Sequence, residues 1–288
     1  MFVPFPLGRY TVTEGVRIGS MGEILLGQRI EEDGSRTTWA IKRPLPDIVE
    51  DPELLGLFWK ETELMQRLRH PSFPKVEEVG VTNGVPYLVM EHIEGVVLAD
   101  LLEEPTVVSE IRLETWVLMA SELASAATEV HRFKRGDRSL VHGDIRAGNI
   151  IISSLGRTRL LDLGLAVAND SVWGSAQRAR VGLPPFIDPY DRRVEIDTYA
   201  IGRLLTQCLG GLDFVFNDRS RLPEGLVEVL RKATDPSGLY AYKSAESMRW
   251  GLQSYLMQEK IEQMREELAR LVRKLMPARS SLMDSSPE

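Results

Sequence analysis

Three short stretches of this 288-residue chain set charged or amide side chains among apolar residues that can hold them still. The first is Trp39-Ala40-Ile41-Lys42, a lysine ending an apolar strand. Alone it reads two ways: an edge-strand lysine facing water, or a cation aimed at phosphate oxygens and held by a carboxylate. The second runs from Leu140 to Asn149, where Asp144 is followed five residues later by Asn149 between apolar anchors. Such a loop can set a carboxylate near a substrate hydroxyl and an amide oxygen near a metal. The third is Leu161-Asp162-Leu163-Gly164, an acid at a strand end followed by a glycine that frees the backbone. Each stretch alone is weak, since Asp-x-Gly is mostly a turn. In this order and at these distances the three are hard to explain by chance.

The elements that must position them follow from periodicity. Apolar alternation predicts strands over Tyr10–Ile18, Glu23–Ile30 and Thr37–Lys42, with a tight turn at Glu31-Glu32-Asp33-Gly34-Ser35. Helical spacing covers Pro52–Leu68 and offers Glu61 and Glu63 as carboxylates for Lys42. Strands over Val76–Val81 and Val85–Met90 are joined by Thr82-Asn83-Gly84, a hairpin signal. From Leu98 the pattern turns helical: Glu114–Phe133, Ile196–Leu209 and Gly225–Thr234. Between them Asn149–Ile152 and Arg159–Leu161 form a second hairpin around Ser153–Gly156. A strand-rich part followed by a helix-rich part predicts two lobes with a ligand cleft between them.

Bulk composition removes several function classes. The formal net charge is −7 and no Lys/Arg run stands out, so nucleic acid is not an expected partner. No apolar run approaches the roughly 20 residues that span a bilayer, so no membrane is expected. The N-terminus lacks a signal-peptide pattern, and a single cysteine, Cys208, excludes an intramolecular disulfide; both point to a cytoplasmic protein. The four histidines show no zinc-ligand spacing.

Taken together these residues resemble the eukaryotic-type (Hanks-type) serine/threonine protein kinases, also widespread in bacteria, from about Gly8 to Leu256. Trp39–Lys42 stands for V-A-I-K, His142-Gly143-Asp144 with Asn149 for H-R-D…N, and Asp162-Leu163-Gly164 for D-F-G. Glu61 has the family's usual distance from His70-Pro71 for the helix-C glutamate, which favours it over Glu63. Tyr87–Ile93 resembles the strand and hinge that cradle adenine, with Met90 as gatekeeper. Asp197 resembles the buried aspartate that braces the catalytic loop.

The resemblance implies an α+β, bilobal fold: a β-rich N-lobe with helix C over residues 1–93 and a mainly helical C-lobe over 94–256. A C-terminal amphipathic helix over 257–276 and a Ser-rich, disordered tail over 277–288 would follow. It implies ATP and Mg2+ (or Mn2+) as cofactors and a protein as substrate. Lys42, held by Glu61, would contact the α- and β-phosphates, with Asn149 and Asp162 on the metal. Asp144 would orient and deprotonate the acceptor hydroxyl, and Arg146 would keep a cation near the γ-phosphate. Ile18, Gly19, Gly22, Ile24, Ala40, Met90, Glu91 and Ile93 would line the nucleotide.

The departures concern regulation and docking. Arg17 replaces the first of three family glycines, either as a solvent-facing strand residue or as a phosphate contact. Gly143 replaces the arginine that meets an activation-loop phosphate, so activity independent of that phosphorylation is expected despite Ser171 and Ser175. Asp188-Pro189-Tyr190 stands for A-P-E, and Asp235–Leu239 lacks the arginine that would pair with its glutamate; losing both partners together can be nearly neutral. The spans 189–197 and 211–223 are short for the family. Phe133–Ser139 is a basic, polar insertion read as a surface loop.

Beyond residue 256, Ile261, Met264, Leu268, Leu271 and Leu275 repeat with 3-4 spacing. That suits a terminal helix packed on its own lobe, or one used for self-association or a partner. Three functions compete: a Ser/Thr-type protein kinase, a pseudokinase serving as a nucleotide-binding scaffold, and a small-molecule phosphotransferase, whose catalytic loop His-Gly-Asp also resembles.

Overall fold

Alternating strand residues in the first ninety positions pair into one antiparallel sheet. The computed structural model describes residues 3–19, 21–167, 193–211, 222–235 and 238–283. These divide into two compact units, one of the described residues in 3–69, 74–93 and 167, the other of residues 70–73, 94–166 and the described residues from 193 onward.

The first unit holds six strands: β1 (Phe5–Leu7), β2 (Tyr10–Ile18), β3 (Gly22–Ile30), β4 (Arg36–Pro44), β5 (Val76–Thr82) and β6 (Val85–Glu91), in the order β1-β2-β3-β4-β6-β5. Asn83 and Gly84 both adopt left-handed φ, 52° and 79°, as the two-residue hairpin turn between β5 and β6 requires. Leu25, Ile41 and Val89 are cross-strand neighbours on one sheet face. They join Leu7, Tyr10, Val12 and Tyr87 in a buried cluster. Each large side chain fully buried there contributes about 1.5–3 kcal/mol. The other face carries Ile24, Lys42 and Leu88 in one row, and Leu26, Ala40 and Met90 in the next.

Short helix α1 (Pro46–Glu50) precedes α2 (Pro52–Arg67). The Asp51 carboxylate caps α2, accepting from the N–H groups of Glu53 at 2.8 Å and Leu54 at 3.2 Å. Pro52 suits the first turn, where an N–H is not needed. The apolar stripe buries Leu57, Phe58, Leu64 and Met65 and carries Glu61 inward with them.

In the second unit the central element is α5 (Leu113–His131), preceded by α3 (Leu98–Leu102) and α4 (Pro105–Glu110). The alanines and valines of α5, including Val117, Ala120, Ala124 and Ala127, are fully buried. A three-stranded sheet β11-β10-β7 uses β7 (Gly95–Val97), β10 (Ile150–Ser153) and β11 (Thr158–Leu160). The expected surface loop at 133–139 is instead a small hairpin, β8 (Lys134–Arg135) and β9 (Arg138–Ser139), because Gly136 at φ 59° turns the chain back on itself. The short α6 (Gly164–Val167) is followed in the described chain by α7 (Glu195–Cys208), α8 (Glu224–Ala233), α9 (Ala245–Leu256) and α10 (Ile261–Met283). Burial pushes the Cys208 thiol up to about 12, so it is inert at neutral pH.

His70–Phe73 belongs to the second unit, not with the sheet that surrounds it in sequence. The Ser72 carbonyl accepts from Leu160 N–H at 2.7 Å, and the Phe73 carbonyl from Arg159 Nη2 at 3.1 Å.

The terminal helix needs correction. It begins at Ile261 and runs to Met283, past residue 276, where a disordered tail was expected. Once the packed part of a helix is formed, each further residue propagates at little cost. Most of its seam packs on its own unit: Met264, Leu268 and Leu271 are buried there together with Val272, while Ile261 is exposed. Polar bonds fix the same orientation, Arg265 to Glu122 at 2.6 Å and Arg273 Nη1 to the Ser154 carbonyl at 2.7 Å. Among the described residues, no helix is long and apolar enough to cross a membrane.

Candidate active site

The alternation that buries Ile41 in the core turns Lys42 to the opposite face, toward α2. There Lys42 Nζ lies 2.6 Å from Glu61 Oε1, with both residues buried. Glu63, on the exposed side, is 3.6 Å from Arg67. A buried ion pair is not a large net stabiliser, but removing one partner strands the other charge.

Ile24, Ala40 and Met90 share the Lys42 face. Gly19 N–H donates to the Gly22 carbonyl at 2.8 Å, closing the tip between β2 and β3. Gly22 has no room for a side chain, since a Cβ would sit 2.6 Å from the Arg43 carbonyl oxygen. Ile93, buried just past β6, has no hydrogen-bond partner for its peptide N–H or C=O among the described residues. Glu91 is tied to Lys75 twice, through its own N–H and its carboxylate.

Ile18 does not join this group. A β-bulge between Gly15 and Arg17 shifts the register, so Arg17 lies opposite Ile24 and Ile18 opposite Glu23. Glu23 in turn bonds Arg43 on the far face, at 2.8 Å to its Nε. The bulge therefore puts Arg17, not Ile18, on the Lys42 side of the sheet.

The second group is built around a buried carboxylate. Asp197 on α7 is fully buried and accepts from the N–H groups of His142 at 2.8 Å and Gly143 at 2.9 Å. His131 Nε2, at the end of α5, lies 2.8 Å from the same carboxylate. Burial pushes the Asp197 carboxyl up. The His131 hydrogen bond and the loop N–H groups outweigh that and hold it below the usual carboxylate range. Gly143 sits at φ 75°, a left-handed conformation that costs glycine nothing and an L side chain about 1 kcal/mol. Burial pushes the His142 imidazole down, more than nearby Asp197 and Asp144 raise it. Its Nδ1 accepts from Asp144 N–H at 3.2 Å, which assigns the proton of the neutral ring to Nε2.

Asp144 emerges from this clamp largely buried, and Arg146 Nε donates to its Oδ1 at 2.9 Å. The expected γ-phosphate cation is thus bonded to the candidate base. Asn149 closes the loop, its Nδ2 donating to the Asp144 carbonyl at 3.1 Å. Its Oδ1 is buried with no hydrogen-bond partner among the described residues. The Asn149 carbonyl accepts from Leu161 N–H at 2.8 Å, which ties the loop to the strand end that carries Asp162. Asp162 has φ 64°, a strained backbone for a non-glycine residue and of the kind found at functional sites.

An orphaned amide oxygen and a nearby chain carboxylate are hard oxygen donors, as Mg2+ or Mn2+ takes. Among the described residues no group of three His, Cys, Asp or Glu could hold a metal. A magnesium ion is usually bound by one or two protein oxygens, its coordination completed by substrate phosphates and water. Ser171, Ser175, Asp188-Pro189-Tyr190 and Pro236-Ser237 lie outside the described residues. Sequence reasoning missed His131 as a brace. A lone histidine ending a helix carries no signal until Asp197 is placed against it.

Residues 10–183 match the family model described as protein tyrosine and serine/threonine kinase. The chain is 24% identical over 267 residues to the serine/threonine-protein kinase PrkC of Bacillus subtilis, covering 84% of this chain and 39% of that protein. It is 25% identical over 282 residues to the tyrosine-protein kinase MasK of Myxococcus xanthus, covering 87% and 43%. It therefore spans less than half the length of these relatives. Among solved structures it resembles the PpkA-294 apo form with TM-score 0.67 and 18% identity, covering 86% of this chain and 97% of that one. The PknI kinase domain of Mycobacterium tuberculosis gives TM-score 0.58 and 22% identity, covering 87% and 97%. These likenesses bear out the expected β-sheet and helical parts of a bilobal kinase fold.

Proposed function

The chain belongs to the protein tyrosine and serine/threonine kinase family, and we propose that it is a serine/threonine-type protein kinase that moves the γ-phosphate of ATP to a protein hydroxyl. The observation that carries this reading is the orphaned Asn149 Oδ1 in a loop whose Asp144 is held by Asp197 through the backbone. A decayed site has no reason to keep an unsatisfied buried acceptor, which costs about 1–3 kcal/mol.

Lys42, fixed by Glu61, neutralises charge on the α- and β-phosphates. Asn149 Oδ1 and the Asp162 carboxylate would hold Mg2+ or Mn2+, which would shield the phosphate charge. The Asp144 carboxylate orients the acceptor hydroxyl and takes its proton. Arg146, bonded to Asp144, keeps that carboxylate in one orientation and offers its remaining N–H groups to the transferring phosphoryl. Gly19 and Gly22 let the backbone approach the phosphates, and Ile24, Ala40 and Met90 enclose the base with the Glu91–Ile93 backbone. Gly143 has no side chain to meet a phosphorylated loop, so transfer does not require phosphate on Ser171 or Ser175.

The test is transfer from labelled ATP with Mg2+ or Mn2+ to protein acceptors carrying Ser, Thr or Tyr, and to small alcohols. Asp144→Asn should lower transfer about 10²–10⁴-fold, the usual worth of a general base, while keeping the thermal shift on adding nucleotide. Asp162→Asn should lose both activity and the metal-dependent part of that shift. Nucleotide binding by the wild type without transfer to any acceptor would replace the enzyme with a scaffold. Transfer to small alcohols alone would make it a small-molecule phosphotransferase.

A further inference from the structure

The second unit contains a cavity of about 220 Å³ walled by α5, the segment at 70–72, the β10–β11 turn and parts of α9 and α10. Its charges do not balance. Arg157, Arg249 and Arg265 line it against the single carboxylate of Glu122, with the half-buried, neutral His70 beside them on the lining. That carboxylate is already engaged: Oε1 accepts from Arg265 Nη2 at 2.6 Å and Oε2 from Thr158 N–H at 3.0 Å. Arg265 has a second carboxylate, Glu262, at 2.5 Å.

Arg249 is different. Its Nη1 donates to a neutral acceptor, Ser125 Oγ, at 3.2 Å, and the same oxygen lies 3.0 Å from His70 Nε2. Its Nε is buried with no hydrogen-bond partner, and no carboxylate is paired with it among the described residues. Arg157, an exposed residue lining the same cavity, likewise has no side-chain partner among the described residues. Shutting part of the half-buried Arg249 guanidinium off from water without a counter-charge is unfavourable. That fork and the exposed fork of Arg157 line one cavity and suit an oxyanion, because each can give paired N–H bonds to it.

We infer that this cavity binds a small phosphate monoester, its dianion between Arg249 and Arg157 and its carbon stem against Leu118 and Ile261. The size selects the class: the volume is below the roughly 300–1,000 Å³ of pockets for drug-sized ligands. It admits a phosphate with a stem of a few carbons. None of the lining residues belongs to the set proposed for phosphate transfer, so the inference does not rest on that reading.

Calorimetric titration of the full chain with glycerol 3-phosphate, in saturating ADP and Mg2+ to occupy any nucleotide site, tests it. Saturable one-site binding is expected, with none for glycerol. Arg249→Gln should weaken it by about tenfold or more, as loss of a charge-assisted contact does. Arg157→Gln, at an exposed position that leaves folding intact, should weaken it by at least about threefold. Absence of saturable binding, or binding that Arg157→Gln leaves unchanged, overturns the proposal. A phosphoserine peptide that binds at least about tenfold more tightly than glycerol 3-phosphate, dependent on Arg157, would give the cavity to phosphoproteins instead.

Discussion

The two groups of chemistry-bearing side chains are held in opposite ways. Lys42 is paired with Glu61 across a buried sheet face, charge directly on charge. Asp144 is fixed from behind: Asp197 grips the N–H groups of His142 and Gly143, and His131 grips Asp197. A direct pair positions a cation with little supporting structure but cannot lose a partner. A carboxylate aimed at backbone N–H groups positions a loop and leaves the loop's own side chains for chemistry.

The largest effect should come from breaking the direct pair. Lys42→Met leaves Glu61 charged and buried and should cost about 3–5 kcal/mol in denaturant unfolding. The double change Lys42→Met/Glu61→Leu should recover most of that stability and none of the transfer activity. If the single change costs under about 1 kcal/mol, the pair is not the buried device described here.

A smaller loss is expected from Asp197→Ala, which leaves the two loop N–H groups and His131 without their acceptor. About 2–3 kcal/mol should be lost, and transfer should fall with it although no residue proposed to touch ATP has changed. Stability lost with full activity retained would mean that the loop holds its geometry without Asp197.

The mildest probe is acid. The His142 and His70 imidazoles are both pushed below their ordinary value of 6.5, chiefly by burial. Above pH 6.5 folded and unfolded chains both keep them neutral, and their contribution is complete. As pH falls below 6.5, the unfolded chain takes up protons that the folded chain refuses, so stability declines. Thermal midpoints should therefore drop between pH 6.5 and 5, and His142→Gln should make the drop shallower. A midpoint flat across that range would contradict the buried neutral ring.

Much of this was legible in the chain because it is local. Alternation at 39–42 turns Lys42 and Ile41 to opposite faces, helical spacing puts Glu61 on the inner stripe of α2, and Asn83-Gly84 between two strand-forming runs is a strong hairpin signal. The β-bulge that exchanges Ile18 for Arg17 was not legible, since it exists only in the pairing of β2 with β3. Nor was the fate of the 261–275 seam, because a 3-4 apolar pattern serves equally for a partner helix and for the chain's own α5 and β-strands.

The amino-acid order thus dictated the local geometry and the family, since both depend on short spacings and side-chain types. Folding alone decided which distant residues meet, His131 with Asp197 and Leu161 with Asn149, and that Arg157 and Arg249 line one cavity. Their proximity is a property of chain crossings and of burial, which gives a side chain its partners or withholds them, and neither is written in any window of neighbouring residues.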